Sequence, residues 1–143
     1  MLSTRVGIIF VCLALSACGL GVQQSVDSAP KKNHLAGQWQ LTELAGQPVQ
    51  TEKAPYLDFS EEGKVSGFAG CNRFFGQVEV EGLSIHFGKL GATMMACPNM
   101  QLESQFMQVL EKADNYTMGS NDSLSLNKAR MAPLARFERV KAD

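Results

Sequence analysis

The stretch Gly67-Phe68-Ala69-Gly70-Cys71-Asn72-Arg73-Phe74-Phe75-Gly76 sets three glycines, a cysteine, an asparagine and an arginine among three phenylalanines. Such a stretch serves catalysis, a ligand or the geometry of a fold. A phosphate loop is excluded, because no lysine is followed by Ser or Thr and the glycines lie between strands, not before a helix. Glycine at 67, 70 and 76 permits bends, bulges and close backbone approach. Asn72 can hydrogen-bond locally or take a left-handed conformation. Cys71 can tie the bend to the segment at Cys97, and Phe68 with Phe74 or Phe75 supplies core. The stretch therefore reads as a fold hinge. Arg73 is the residue the fold explains least; it is a solvated strand side chain or it faces a partner.

On either side, short apolar runs recur with turn residues between them, the spacing of antiparallel β-structure. In Gly37–Leu44, Trp39 and Leu41 alternate with polar neighbours. Tyr56–Phe59 and Lys64–Phe68 flank a turn at Glu61-Glu62-Gly63. Gly76–Val80 and Leu83–Phe87 flank Glu81-Gly82 and read as a hairpin, with Leu83, Ile85 and Phe87 on one face. Tyr116–Met118 and Leu124–Leu126 form a second hairpin, and Leu134–Val140 closes the chain. One segment breaks the period. Asn99–Ala113 places Leu102, Phe106, Val109, Leu110 and Ala113 at helical spacing, with Asn99 as cap and Glu103 at the positive end of the dipole. Its polar face is not basic, so it reads as packing on the sheet rather than on a membrane. The expected fold is mainly β with one helix: a compact, strongly curved antiparallel sheet or small barrel packed by a single helix.

The N-terminus addresses location. Arg5 precedes an apolar run from Val6 to Leu15, and Leu15-Ser16-Ala17-Cys18 follows. These are the parts of a secretory signal, and the run is too short to span a bilayer. The order resembles a bacterial lipobox, in which the signal is cut before Cys18 and that cysteine carries lipid, palmitate among its chains. Two or more acyl chains anchor stably. Gly19, in place of an aspartate, implies by the same resemblance transfer to the outer membrane, facing the periplasm. The domain reading is a signal peptide at 1–17, a lipidated cysteine and flexible tether at 18–35, and one domain at 36–143. His34, at the end of the tether, is given no role. The net charge of −1 becomes −2 when Arg5 leaves with the signal. No basic patch or charged block favours nucleic acid.

Cys71 and Cys97 are the two cysteines left for the domain. An even pair in an oxidising compartment reads first as a disulfide, which the chain-entropy account values at roughly 3.5 kcal/mol. Two buried thiols, or a metal or catalytic use with His86, stay open. The two cysteines and His86 would give a metal three ligands without CxxC spacing. A nucleophilic thiol would have His86 as its only candidate base.

The same residues carry a resemblance. Gly67 to Gly76 is similar to the G-x-x-G-C-N-x-x-x-G signature of the META domain, also called the HslJ type. Leu90 to Cys97, with Thr93, resembles that family's L-x-x-T-(basic)-M-A-C segment, and Glu103 to Leu110 its E-x-x-(aromatic)-x-x-x-L helix. The likeness runs from about Leu35 to Val140. Met94 stands where the family has Arg or Lys, which removes any role built on that charge. The resemblance implies a compact β-rich fold with one helix on secreted or lipidated bacterial proteins, and a loose link to heat shock and envelope stress. It implies no reaction.

The sequence shows no nucleophile elbow, paired-carboxylate motif or HExxH. The first reading is accordingly a non-enzymatic, monomeric envelope lipoprotein that binds or braces, held to the membrane by Cys18, with an envelope protein as partner and no cofactor or metal. Seven methionines, Met94, Met95, Met100 and Met107 among them, would give it an adaptable apolar surface where exposed. The alternatives are a carrier enclosing a small molecule or peptide, and a thiol-dependent envelope enzyme. Candidate interaction residues are Gly67, Gly70, Asn72, Arg73, Gly76 and Thr93.

Overall fold

The computed structural model describes residues 34–141, apart from 99 and 131. The signal peptide, Cys18, the tether up to residue 33 and the Asn99 cap lie outside the described residues. Ten strands and one helix follow in chain order: β1 (Gln38–Leu44), β2 (Gln47–Pro48), β3 (Tyr56–Asp58), β4 (Lys64–Phe68), β5 (Arg73–Glu81), β6 (Ser84–Phe87), β7 (Gly91–Ala92), α1 (Gln101–Lys112), β8 (Asn115–Met118), β9 (Ser123–Asn127) and β10 (Ala135–Arg139).

Eight strands close into an antiparallel barrel in the order β1-β3-β4-β5-β6-β8-β9-β10, and β10 pairs back onto β1. The two-residue strands β2 and β7 are appended to β1 and β5. Alternation sets the wall. Trp39, Leu41, Leu57, Val65, Phe74, Val78, Ile85, Phe87, Leu124, Leu126 and Phe137 point inward and are buried. The hairpin at Glu81-Gly82 turns through Gly82 at φ +59°. Leu83, placed on the inner face by alternation, is 63% exposed. It sits in the turn just before β6, where the pleat does not govern direction.

The helix sends Phe106 into the interior of the barrel. Phe106 is fully buried between the rings of Phe74 on β5 and Phe137 on β10, at 6.0 and 6.1 Å. Those strands stand on opposite sides of the ring, so a residue touching both fills the space between them. The interior holds the hydrophobic core. Met100 occupies the helix N-cap and makes no side-chain cap bond.

The start of the domain is fastened from the other terminus. Arg139 donates to the carbonyls of His34 and Ala36, and its guanidinium lies 4.1 Å from the Trp39 ring centre. Trp39 donates its indole N–H to the Leu35 carbonyl at 2.8 Å. Leu35, at the end of the expected tether, is 1% exposed and belongs to the core.

Candidate functional site

The loop between β4 and β5 bends at Gly70, whose φ of +117° is a conformation side-chain-bearing residues rarely adopt. Just before it, Gly67 on β4 has no room for a side chain. A Cβ there would overlap the Tyr56 carbonyl oxygen and come within 2.8 Å of the Phe74 ring. Gly76 plays the same part further along β5, where a Cβ would meet Leu90 at 2.7 Å. Phe74 supplies the core, Phe68 is half-buried, and Phe75 lies outside at 64% exposure.

The bend brings Asn72 to a buried position, 2% exposed, facing two other segments. Its Oδ1 accepts from the Thr93 hydroxyl at 2.9 Å and the Met95 N–H at 2.7 Å. Its Nδ2 donates to the Met95 carbonyl at 3.2 Å and to Glu103 Oε1 at 2.9 Å. The Asn72 backbone N–H donates to the other Glu103 oxygen at 2.7 Å. A side-chain amide offers two donors and two acceptor positions, and all four are used. Thr93 completes the tie by accepting from the Arg73 N–H at 3.1 Å. Cys71 and Cys97 are joined in a disulfide, with Cα atoms 6.2 Å apart. Of the uses the sequence left open, the structure has the first.

Three separated pieces of chain thus converge: the β4–β5 loop, the segment from Thr93 to Cys97, and the first turn of α1. Glu103 is the member that sequence reasoning placed without its role. Its position near the helix N-terminus was legible; its fork on Asn72 was not.

Arg73 and Thr93 connect this cluster to the outer wall. With the disulfide and Met95 they line an open depression of about 930 Å³ that continues over β4, β3 and β1. Met94, in the position of the family's basic residue, is 98% exposed. His86 faces outward opposite Glu79. That is six positions along β5 from Arg73, roughly 20 Å at ~3.3 Å per residue, so the base proposed for a thiol reaction stands far from Cys71. Among the described residues no group of three or more His, Cys, Asp or Glu side chains converges as metal ligands.

Residues 33–141 match the family model of the META domain. No curated protein matches the chain. Two solved structures are similar. One, determined by NMR for a protein from Burkholderia xenovorans, is 24% identical with a TM-score of 0.61, covering 76% of this chain and 85% of that one. Another NMR structure is 24% identical with a TM-score of 0.59, covering 73% of this chain and 90% of that one. Both support the fold alone.

Proposed function

The chain belongs to the META-domain family, and on that premise we propose that it is a non-catalytic lipoprotein of the bacterial envelope. It is anchored through Cys18, faces the periplasm and serves as a binding or bracing module under heat or envelope stress. The observation that carries this reading is the saturation of the motif residues. Cys71, Asn72, Thr93, Cys97 and Glu103 are engaged with one another and with the Met95 backbone. A reacting group needs a free nucleophile beside a base; here the motif ties chain to chain. On the outer wall, by contrast, the side chains of Gln40, Tyr56 and Arg73 make no hydrogen bond or ion pair with another described residue. A carrier reading would seat its ligand inside the barrel, where Trp39, Phe74, Phe106 and Phe137 already lie.

Two measurements test the proposal. Cys18→Ala should release the protein from membranes or leave it unprocessed; a variant that fractionates with the outer membrane like the parent overturns the anchor. Thiol titration of protein made in an oxidising compartment should find no free cysteine in the domain. A titratable Cys71 or Cys97 would reopen thiol chemistry. Co-purification from membranes with the anchor intact then identifies what is bound.

A further inference from the structure

The strand register lines up Gln40 with Tyr56, Tyr56 with Phe68, and Phe68 with Arg73, one residue from each of four neighbouring strands. All four line the open depression on the outer wall. Their inward neighbours Trp39, Leu57, Gly67 and Phe74 are buried, so the row stands on the opposite face. The two aromatic rings are 6.3 Å apart with planes inclined by 30°, which makes one nearly continuous apolar platform. Planar polar groups flank it in the same row, the Gln40 amide on one side and the Arg73 guanidinium on the other. None of the Gln40, Tyr56 and Arg73 polar groups makes a side-chain hydrogen bond or ion pair with another described residue. This is the reverse of Asn72.

The geometry points to an oligosaccharide site, with β-linked pyranose rings lying on Tyr56 and Phe68. This rests on the binding-module reading above and names its ligand class. A pyranose with equatorial substituents has apolar C–H faces and a girdle of hydroxyls in the ring plane. The faces match the aromatic platform. Each hydroxyl both donates and accepts, and the flanking amide does both while the guanidinium donates. Other occupants fit less well. Nucleic acid draws its affinity from several cations on phosphates, whereas Glu52 accompanies Lys53 and Arg73 here. A peptide that adds a strand needs a free sheet edge, and β1, β3, β4 and β5 are each paired on both sides.

The test titrates the full-length protein, solubilised from membranes, with chitotetraose and cellotetraose by calorimetry. A short proline-rich peptide and an oligothymidylate are titrated in parallel. One saturable site for either sugar is expected. Tyr56→Ala and Phe68→Ala should each weaken it about tenfold, and Glu79→Gln, distant along β5, should leave it unchanged. Because an alanine variant could unfold, amide shifts in the unsubstituted protein provide a second reading; residues 56, 68 and 73 should move with the sugar. The inference is overturned if neither sugar binds, if binding ignores the variants and moves other residues, or if the peptide or oligothymidylate takes the site instead. Sugars failing while the anchored protein still retains a membrane partner would sink the glycan inference and leave the binding-module reading standing. Failure of both would sink the two together.

Discussion

Asn72 joins segments far apart in sequence through four side-chain bonds and its backbone N–H. Asn72→Leu keeps the branching but removes the side-chain partners of Glu103 Oε1, the Met95 N–H and the Met95 carbonyl. A buried group left unpaired costs about 1–3 kcal/mol; these groups are only part-buried, so the urea midpoint should fall by the equivalent of about 1–3 kcal/mol in all. Gly70 makes a different kind of demand. A Cβ there would meet nothing closer than Leu102 at 3.6 Å, so space is available and the φ of +117° is the obstacle. Gly70→Ala should therefore cost nearly as much as Gly70→Val, on the order of 1–3 kcal/mol in each case. Thermal unfolding of the pair checks this, and a much milder alanine would mean that crowding sets the cost. At Gly67 the expectation reverses, since the overlap with the Tyr56 carbonyl is steric and even alanine should be severe.

At the scale of elements, hairpins and helix were legible because each is decided within a few residues. Gly82 and its flanking alternation announced the β5–β6 turn, and the Phe106-Val109-Leu110 stripe announced α1. What the sequence could not show depends on partners distant along the chain. Strands β2 and β7, two residues each, carry no period. Phe75 looked as good a core residue as Phe74, and only the pleat relative to Gly67 decides between them. The bond from Glu103 to Asn72 spans 31 positions and has no local signature. α1 starts without a side-chain cap because its N-cap, Met100, has no side-chain oxygen to accept from the first turn. Glu103→Gln keeps the shape but offers one acceptor for two donors. Its expected cost is about 1–3 kcal/mol, read as a lower melting temperature. Loss of the disulfide acts on the same junction from the side of Cys97. Cys71→Ala, Cys97→Ala and the double replacement should each lower stability by a similar amount, up to roughly 3.5 kcal/mol. All three should stay folded, because Asn72 still grips Met95; circular dichroism and chemical denaturation test both parts.

For the whole molecule, a closed barrel was one of the two architectures the sequence allowed, and the choice was made by β10 returning to β1. That seam aligns Trp39 with Arg139, Gln40 with Glu138 and Leu41 with Phe137, and Arg139 then holds the carbonyls of His34 and Ala36. Arg139→Ala removes those bonds and the cation over the indole together. It should loosen the seam first, seen as faster amide exchange in β1 and β10 than in β5 or β8. The seam also imposes an order in time. A ribosome makes β1 before every other strand of the barrel and β10 after all of them, so until β10 emerges the sheet is an open strip with two bare margins. The arrival of that one strand converts a sticky ribbon into a sealed cylinder. A premature stop before Ala135 is thus worse than its size suggests: it would yield a product that seeks its missing strand on another copy of itself.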